Sequence, residues 1–139
     1  MGTREGAIAS ALAFFDAGGF RDHLAELVAI PSTSQEPGHE ADVRRYLEGA
    51  IQPWLERMGF SVTIHANPVA GFGPILTGER IEDPARQTVI TYGHGDTVRG
   101  LDDQWDAGLA PWVVTERGDR WYGRGTADNK GQHALNLTA

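Results

Sequence analysis

Apolar residues at helical spacing dominate the first 58 positions, and alternating or β-branched runs follow. Ala7-Ile8-Ala9-Ser10-Ala11-Leu12-Ala13-Phe14-Phe15 predicts a helix. Glu5 among its flanking residues and Asp16 directly after it argue against the apolar core of a secretion signal. Gly18-Gly19 splits this helical region in two. Leu24, Leu27 and Val28 place a second helix over Phe20 to Ala29, ended by Pro31, which disfavours helical backbone at Ile30. Ser32 to Gly38 reads as a loop. From about His39 to Met58, the residues Val43, Leu47, Ile51, Trp54, Leu55 and Met58 recur at threes and fours, one buried face of a long helix. Pro53 should kink or locally break it.

Gly59 then releases the chain into Phe60-Ser61-Val62-Thr63-Ile64-His65, whose strict alternation predicts a half-buried strand. Ile75 to Thr77 is a shorter strand. Thr88-Val89-Ile90-Thr91-Tyr92 has the composition of an inner strand, and Gly93-His94-Gly95-Asp96 lies at its C-terminal end, where open α/β sheets place their sites. Trp112-Val113-Val114-Thr115 and Trp121-Tyr122 flank Arg117-Gly118-Asp119 as a hairpin, and a helix begins at Lys130 and runs toward Ala139. No repeat or low-complexity tract interrupts this order. The fold class it predicts is α/β, with a mostly parallel central sheet of about four strands flanked by helices.

Composition narrows the function. A chain of 139 residues suits one domain, which at this size buries about 70% of its unfolded surface. Hydrophobic residues at 40% and charged residues at 22% are globular values. Twelve basic against 19 acidic residues give a net charge of −7, and no Lys/Arg cluster forms a phosphate-tracking stripe, so nucleic acid is not an expected partner. With no cysteine, a metal would have to be held by His, Asp or Glu. No segment reaches the roughly 20 apolar residues of a membrane span. Met1-Gly2 has Gly6 where a myristoylation signal needs Ser or Thr. No membrane partner is expected, and a cytoplasmic location fits.

The candidate chemistry starts at His94 and Asp96. In extended backbone, side chains two apart point the same way, so these two can approach one point across Gly95. That suits a metal-binding imidazole whose other ring nitrogen is held by a carboxylate, or direct ligation by Asp96. Such a triplet also arises freely in surface loops, and its neighbours decide its weight. In Tyr122-Gly123-Arg124-Gly125-Thr126-Ala127-Asp128-Asn129-Lys130-Gly131, glycines allow tight turns and deliver Asp128 just ahead of a helix, where its carboxylate can bridge two cations. A phosphate-loop reading fails, because an acid follows Gly-Arg-Gly and the Walker spacing is absent.

Other polar residues take plainer expectations. His23, His39 and His65 read as solvated or capping residues, and His133 as a helix-surface histidine. Asp102, Asp103 and Asp106 form a solvated acidic loop. Trp105, Trp112 and Trp121 are expected to pack loop and hairpin against the sheet, with Arg124 a structural ion-pair or backbone partner.

Tyr92-Gly93-His94-Gly95-Asp96-Thr97-Val98, Asp103-Gln104-Trp105, Pro111-Trp112, Tyr122-Gly123-Arg124-Gly125 and Asp128-Asn129-Lys130-Gly131 resemble, in order and spacing, the zinc aminoacylase and carboxypeptidase family. Acetylornithine deacetylase, succinyl-diaminopimelate desuccinylase, glutamate carboxypeptidase and carnosinase-type dipeptidases belong to that family. The resemblance implies that His94 ligates one zinc, that Asp96 orients His94, and that Asp128 bridges two zincs ahead of a cis Asp128–Asn129 peptide. Cobalt or manganese are the substitutes it allows. It implies hydrolysis of amide bonds in dipeptides or N-acyl amino acids, with a glutamate carrying a proton to the leaving nitrogen.

Relatives supply that glutamate, an adjacent glutamate ligand, a later acidic ligand and a final histidine beyond the bridging aspartate, and residues 1–139 hold none of the four. The expectation is therefore the N-terminal portion of a catalytic domain, truncated and without its lid or dimerisation domain, binding metal weakly and inactive alone. Its partners would be a peptide or N-acyl amino acid substrate, and a complementary C-terminal chain or a second copy in the complete protein. The alternative is a non-catalytic interaction module that binds a partner chain.

Overall fold

The computed structural model describes residues 3–138, so the lipidation reading at Met1-Gly2 and the end of the last helix at Ala139 lie outside them. Helix α1 (Arg4–Asp16) starts at Thr3, whose hydroxyl accepts from the Gly6 amide at 3.0 Å. Gly18, in left-handed backbone at φ 83°, turns the chain into α2 (Gly19–Val28). This helix buries His23, Leu24, Leu27 and Val28 along one face. Each apolar side chain removed from water there contributes roughly 1.5–3 kcal/mol.

The long helix appears as α3 (Glu40–Arg45), a π-helical turn (Tyr46–Ile51) and α4 (Gln52–Arg57). Pro53 lacks an N–H and would crowd the carbonyl four residues back. The wider turn ahead of it accommodates that misfit, so the helix continues rather than breaking. Helix α4 ends in a Schellman motif: the Phe60 amide donates to Leu55 and the Gly59 amide to Glu56, with Gly59 at φ 83°.

Strands β1 (Ser61–His65) and β2 (Ile75–Glu79) pair antiparallel from Ser61 opposite Glu79 to His65 opposite Ile75. Strands β3 (Thr115–Arg117) and β4 (Arg120–Tyr122) form the expected hairpin around Gly118-Asp119. The core joins Leu24, Leu27, Val28 and Ile30 to Tyr46, Ile51, Leu55, Val114 and Ala134 of α5 (Lys130–Thr138).

Helices and strands are both present, as expected, but the parallel central sheet is not formed among the described residues. They make two antiparallel strand pairs and two isolated bridges, Thr33 to Thr97 parallel and Ala110 to Val113 antiparallel. The run Thr88–Tyr92 has no strand pairing, and Val89, Ile90 and Tyr92 are 84, 88 and 82% exposed. β-propensity measures fit to a half-buried pleated surface, and a run without neighbours has no ladder to enter.

Two histidines also depart from expectation. His23 is buried, its ring stacked on Trp54 at 3.8 Å, because it falls on the same helical face as Leu24 and Leu27. His133 is half-buried rather than on the open helix surface: its Nδ1 lies 2.9 Å from the Tyr46 hydroxyl, on the side of α5 that meets the π-helical turn. His65 is exposed as expected, and His39 is half-buried beside Asp42. The tryptophans pack: Trp121 stacks with Phe15 and Phe20, and Trp105 donates to the Gly100 carbonyl.

Candidate metal centre

Two loops converge on one cleft of about 360 Å³, lined by His94, Asp96, Thr97, Arg124 and Asp128 among others. The first loop, Gly93 to Thr97, is held from behind. A Cβ on Gly95 would fall 1.9 Å from the Tyr46 ring, so only glycine lets the backbone lie flat on that buried tyrosine. A Cβ on Gly93 would likewise fall 2.2 Å from the His133 ring.

The second loop, Gly123 to Lys130, is tied to the fold by its own backbone. Arg124 N donates to Pro111 at 2.6 Å, Thr126 N to Gly123 at 3.3 Å and Gly131 N to Gly125 at 3.0 Å. The Arg124 guanidinium donates to Gly100 and lies over Trp105, so it is a backbone partner, as expected from sequence. Lys130 is fully buried, and its ammonium donates to the Ile30 carbonyl at 2.5 Å. Burial first, and Arg45 second, pull its pKa down from 10.5 to about 7.

The loops are joined directly. The buried Asn129 accepts from the His94 amide at 3.1 Å, and the Asp128–Asn129 peptide is cis. His94 Nδ1 lies 3.0 Å from Asp96 Oδ1, and His94 Nε2 lies 3.4 Å from Asp128 Oδ1. The three residues singled out in the sequence therefore share one cleft, with the imidazole between two carboxylates. Asp128 is 84% exposed, and its oxygens face open space. Asp102, Asp103 and Asp106 lie apart and exposed, in and just after a 3-10 turn (Asp102–Gln104).

These donors fit a divalent metal. An imidazole nitrogen and an exposed carboxylate oxygen point at common space, while the second ring nitrogen is already engaged by Asp96. They do not complete a site, since no group of three potential ligands occurs among the described residues.

The sequence left Ser34 and Tyr46 without a role, placed Asn129 only within a matched block and read His133 as a helix-surface residue, yet all four bear on this cleft. Ser34 donates to Asp96 Oδ2 at 2.6 Å. The density of hydroxyls in Ser32-Thr33-Ser34 is the signal that could have raised it. Burial, with His94 adding to it, lowers the pKa of His133.

Residues 90–139 match the model of peptidase family M20/M25/M40. A cysteinylglycine-S-conjugate dipeptidase of Corynebacterium striatum is 32% identical over 84% of this chain and 25% of its own length. The acetylornithine deacetylase of Proteus mirabilis is 30% identical over 82% of this chain and 28% of its own. Among solved structures, human carnosine dipeptidase 1 superposes with a TM-score of 0.78 at 28% identity, covering 93% of this chain and 29% of that one. The chain thus spans little more than a quarter of the length of the relatives it matches. No helix among the described residues is long and apolar enough to cross a membrane.

Proposed function

The chain belongs to peptidase family M20/M25/M40, and from that premise we propose that it forms the N-terminal part of a metal-dependent catalytic domain that hydrolyses amide bonds in dipeptides or N-acyl amino acids. The observation that carries this reading is the placement of His94 between Asp96 and Asp128, with Nε2 3.4 Å from Asp128 Oδ1. His94 and Asp128 are the proposed ligands, zinc the proposed metal, and the cytoplasm the proposed compartment. A bound divalent metal would supply Lewis acidity, lowering the pKa of a water and polarising the scissile carbonyl.

The chain's own residues prepare the cleft. Asp96 holds the His94 ring and sets which nitrogen carries the proton. Asn129 fixes the His94 backbone against the Asp128 loop, so the two donors keep their separation. A zinc site takes three or four protein ligands, and two converge here. We assign the remaining ligands and the proton-carrying glutamate to parts of the protein beyond residues 3–138. The relatives' greater length supports that assignment.

The test is His94→Ala and Asp128→Ala in the full-length protein, with bound zinc measured by elemental analysis and hydrolysis of dipeptides and N-acetyl amino acids followed. Both variants should lose zinc, and activity should fall by more than the roughly 10–100-fold typical of a change outside the ligand shell. Unchanged zinc content and rates would refute the reading. A second reading, a partner-binding module without catalysis, draws on the bare run Thr88–Tyr92. It predicts a zinc-free protein that elutes as a stable complex with another chain.

A further inference from the structure

Asp96 could from sequence either ligate a metal or orient His94, and the geometry points to a residue that decides between them. We infer that Ser34 is a positioning residue: its hydroxyl holds the Asp96 carboxylate so that Oδ1 stays on His94 Nδ1, which keeps the proton on that nitrogen and leaves Nε2 free toward Asp128. The consequence for metal binding rests on the function proposed above. The consequence for the ring does not.

Both oxygens of Asp96 are engaged on the side away from Nε2. Oδ2 accepts from Ser34 Oγ at 2.6 Å, the length of a charge-assisted O–H···O⁻ bond, and Oδ1 lies 3.0 Å from His94 Nδ1. The Asp96 side chain is 40% exposed. With Oδ2 released, rotation of the carboxylate toward water or toward a cation would meet little resistance, and Nδ1 would keep only the longer, neutral contact to the Asp96 carbonyl at 3.3 Å, which selects the tautomer less strongly.

Ser34 is delivered by a strip that other bonds hold in place. Thr97 N donates to Ser32 O at 2.9 Å, Thr33 bridges Thr97 in parallel, and the buried Ser32 hydroxyl donates to Gly95 O at 2.5 Å. Arg99 pairs with Glu36 at 2.9 Å beyond it, and Lys130 fixes Ile30 ahead of it. The strip therefore runs alongside Gly95 to Arg99, and Ser34 meets Asp96 in register. Ser34 itself is exposed, so its removal should leave the core intact.

The experiment compares wild type, Ser34→Ala and Ser34→Thr in the full-length protein. Nitrogen-15 spectra of the metal-free protein should show His94 with its proton on Nδ1 in wild type and a mixture of tautomers in Ser34→Ala. Ser34→Thr, which keeps the hydroxyl, should restore the wild-type spectrum. Zinc titration against a competing chelator should show Ser34→Ala weakened about tenfold, the low end of the effect of an outer partner of a ligand, with Ser34→Thr near wild type. An unchanged tautomer in Ser34→Ala would overturn the inference whatever the zinc result. If His94→Ala left zinc binding untouched, the metal reading would fall, and the tautomer comparison would still decide the role of Ser34.

Discussion

Acidification from pH 7 to pH 5 should loosen the packing of α2 on α4, and His23 is the group responsible. Its side chain is 3% exposed, its ring is stacked on Trp54 at 3.8 Å, and neither ring nitrogen has a hydrogen-bond partner among the described residues. Burial, with Arg57 and His133 adding to it, lowers its pKa from 6.5 to about 4. Glu26 pulls the other way, but its carboxylate is 3.9 Å from Nδ1 and 76% exposed, too distant and too well solvated to compensate. Between about pH 6.5 and 4 the unfolded chain takes up a proton that the folded chain refuses, so stability is complete above 6.5 and is lost as pH falls toward 4. At 1.36 kcal/mol per pH unit the whole window is worth about 3 kcal/mol, of which about 2 kcal/mol is lost between pH 7 and 5. His23→Phe keeps a ring on Trp54 without a titrating group. Urea unfolding of both proteins at pH 7 and pH 5 should show the wild type losing about 2 kcal/mol more than the variant over that interval. Equal losses in the two proteins would refute the burial argument.

Two further substitutions probe the support behind the cleft. Gly95→Ala should cost about 1–3 kcal/mol by overpacking, because the new methyl meets the buried Tyr46 ring at 1.9 Å. Zinc affinity should fall with it, since the displaced backbone carries His94 and Asp96, and a variant with wild-type melting temperature and affinity would contradict the close approach. Tyr46→Phe should cost about 1–2 kcal/mol in urea unfolding, because it leaves the half-buried His133 Nδ1 without the hydroxyl now 2.9 Å away. An unchanged midpoint would mean that water replaces the hydroxyl.

Most helices, the hairpin and the pairing of His94 with Asp96 were legible because each has a local cause. Leu24, Leu27 and Val28 share a helical face whatever lies across from them. Gly118-Asp119 turns a hairpin by itself, and the spacing of His94 and Asp96 is a property of extended backbone. Of what depended on a distant partner, the approach of Asp128 to His94 was reached only through the family resemblance, and other long-range features were misjudged. Thr88–Tyr92 has strand composition, but pairing requires neighbouring strands that the described residues do not provide. His23 is polar by composition and core by position, and a face defined by three apolar residues carries its fourth member inward. The Ser34–Asp96 contact spans 62 residues, and no periodicity in either segment announces it.

That long contact bears on what the first third of the chain does. The family match begins at residue 90, so the helical front could be taken for a cover attached to a site built elsewhere. The bonds contradict this. Asp96 is held by Ser34, the Gly95 carbonyl by Ser32, and the Thr97 amide by the Ser32 carbonyl, while Lys130 reaches back to Ile30. Pro31 ends α2 at the point where the chain must turn extended to run beside Gly95 to Arg99, and the buried Leu27 and Val28 fix where that turn falls. The same α2 packs on α5, which begins two residues after Asp128. The front end thus holds both loops of the cleft from one side, and residues 24–34 help to set the separation of His94 from Asp128.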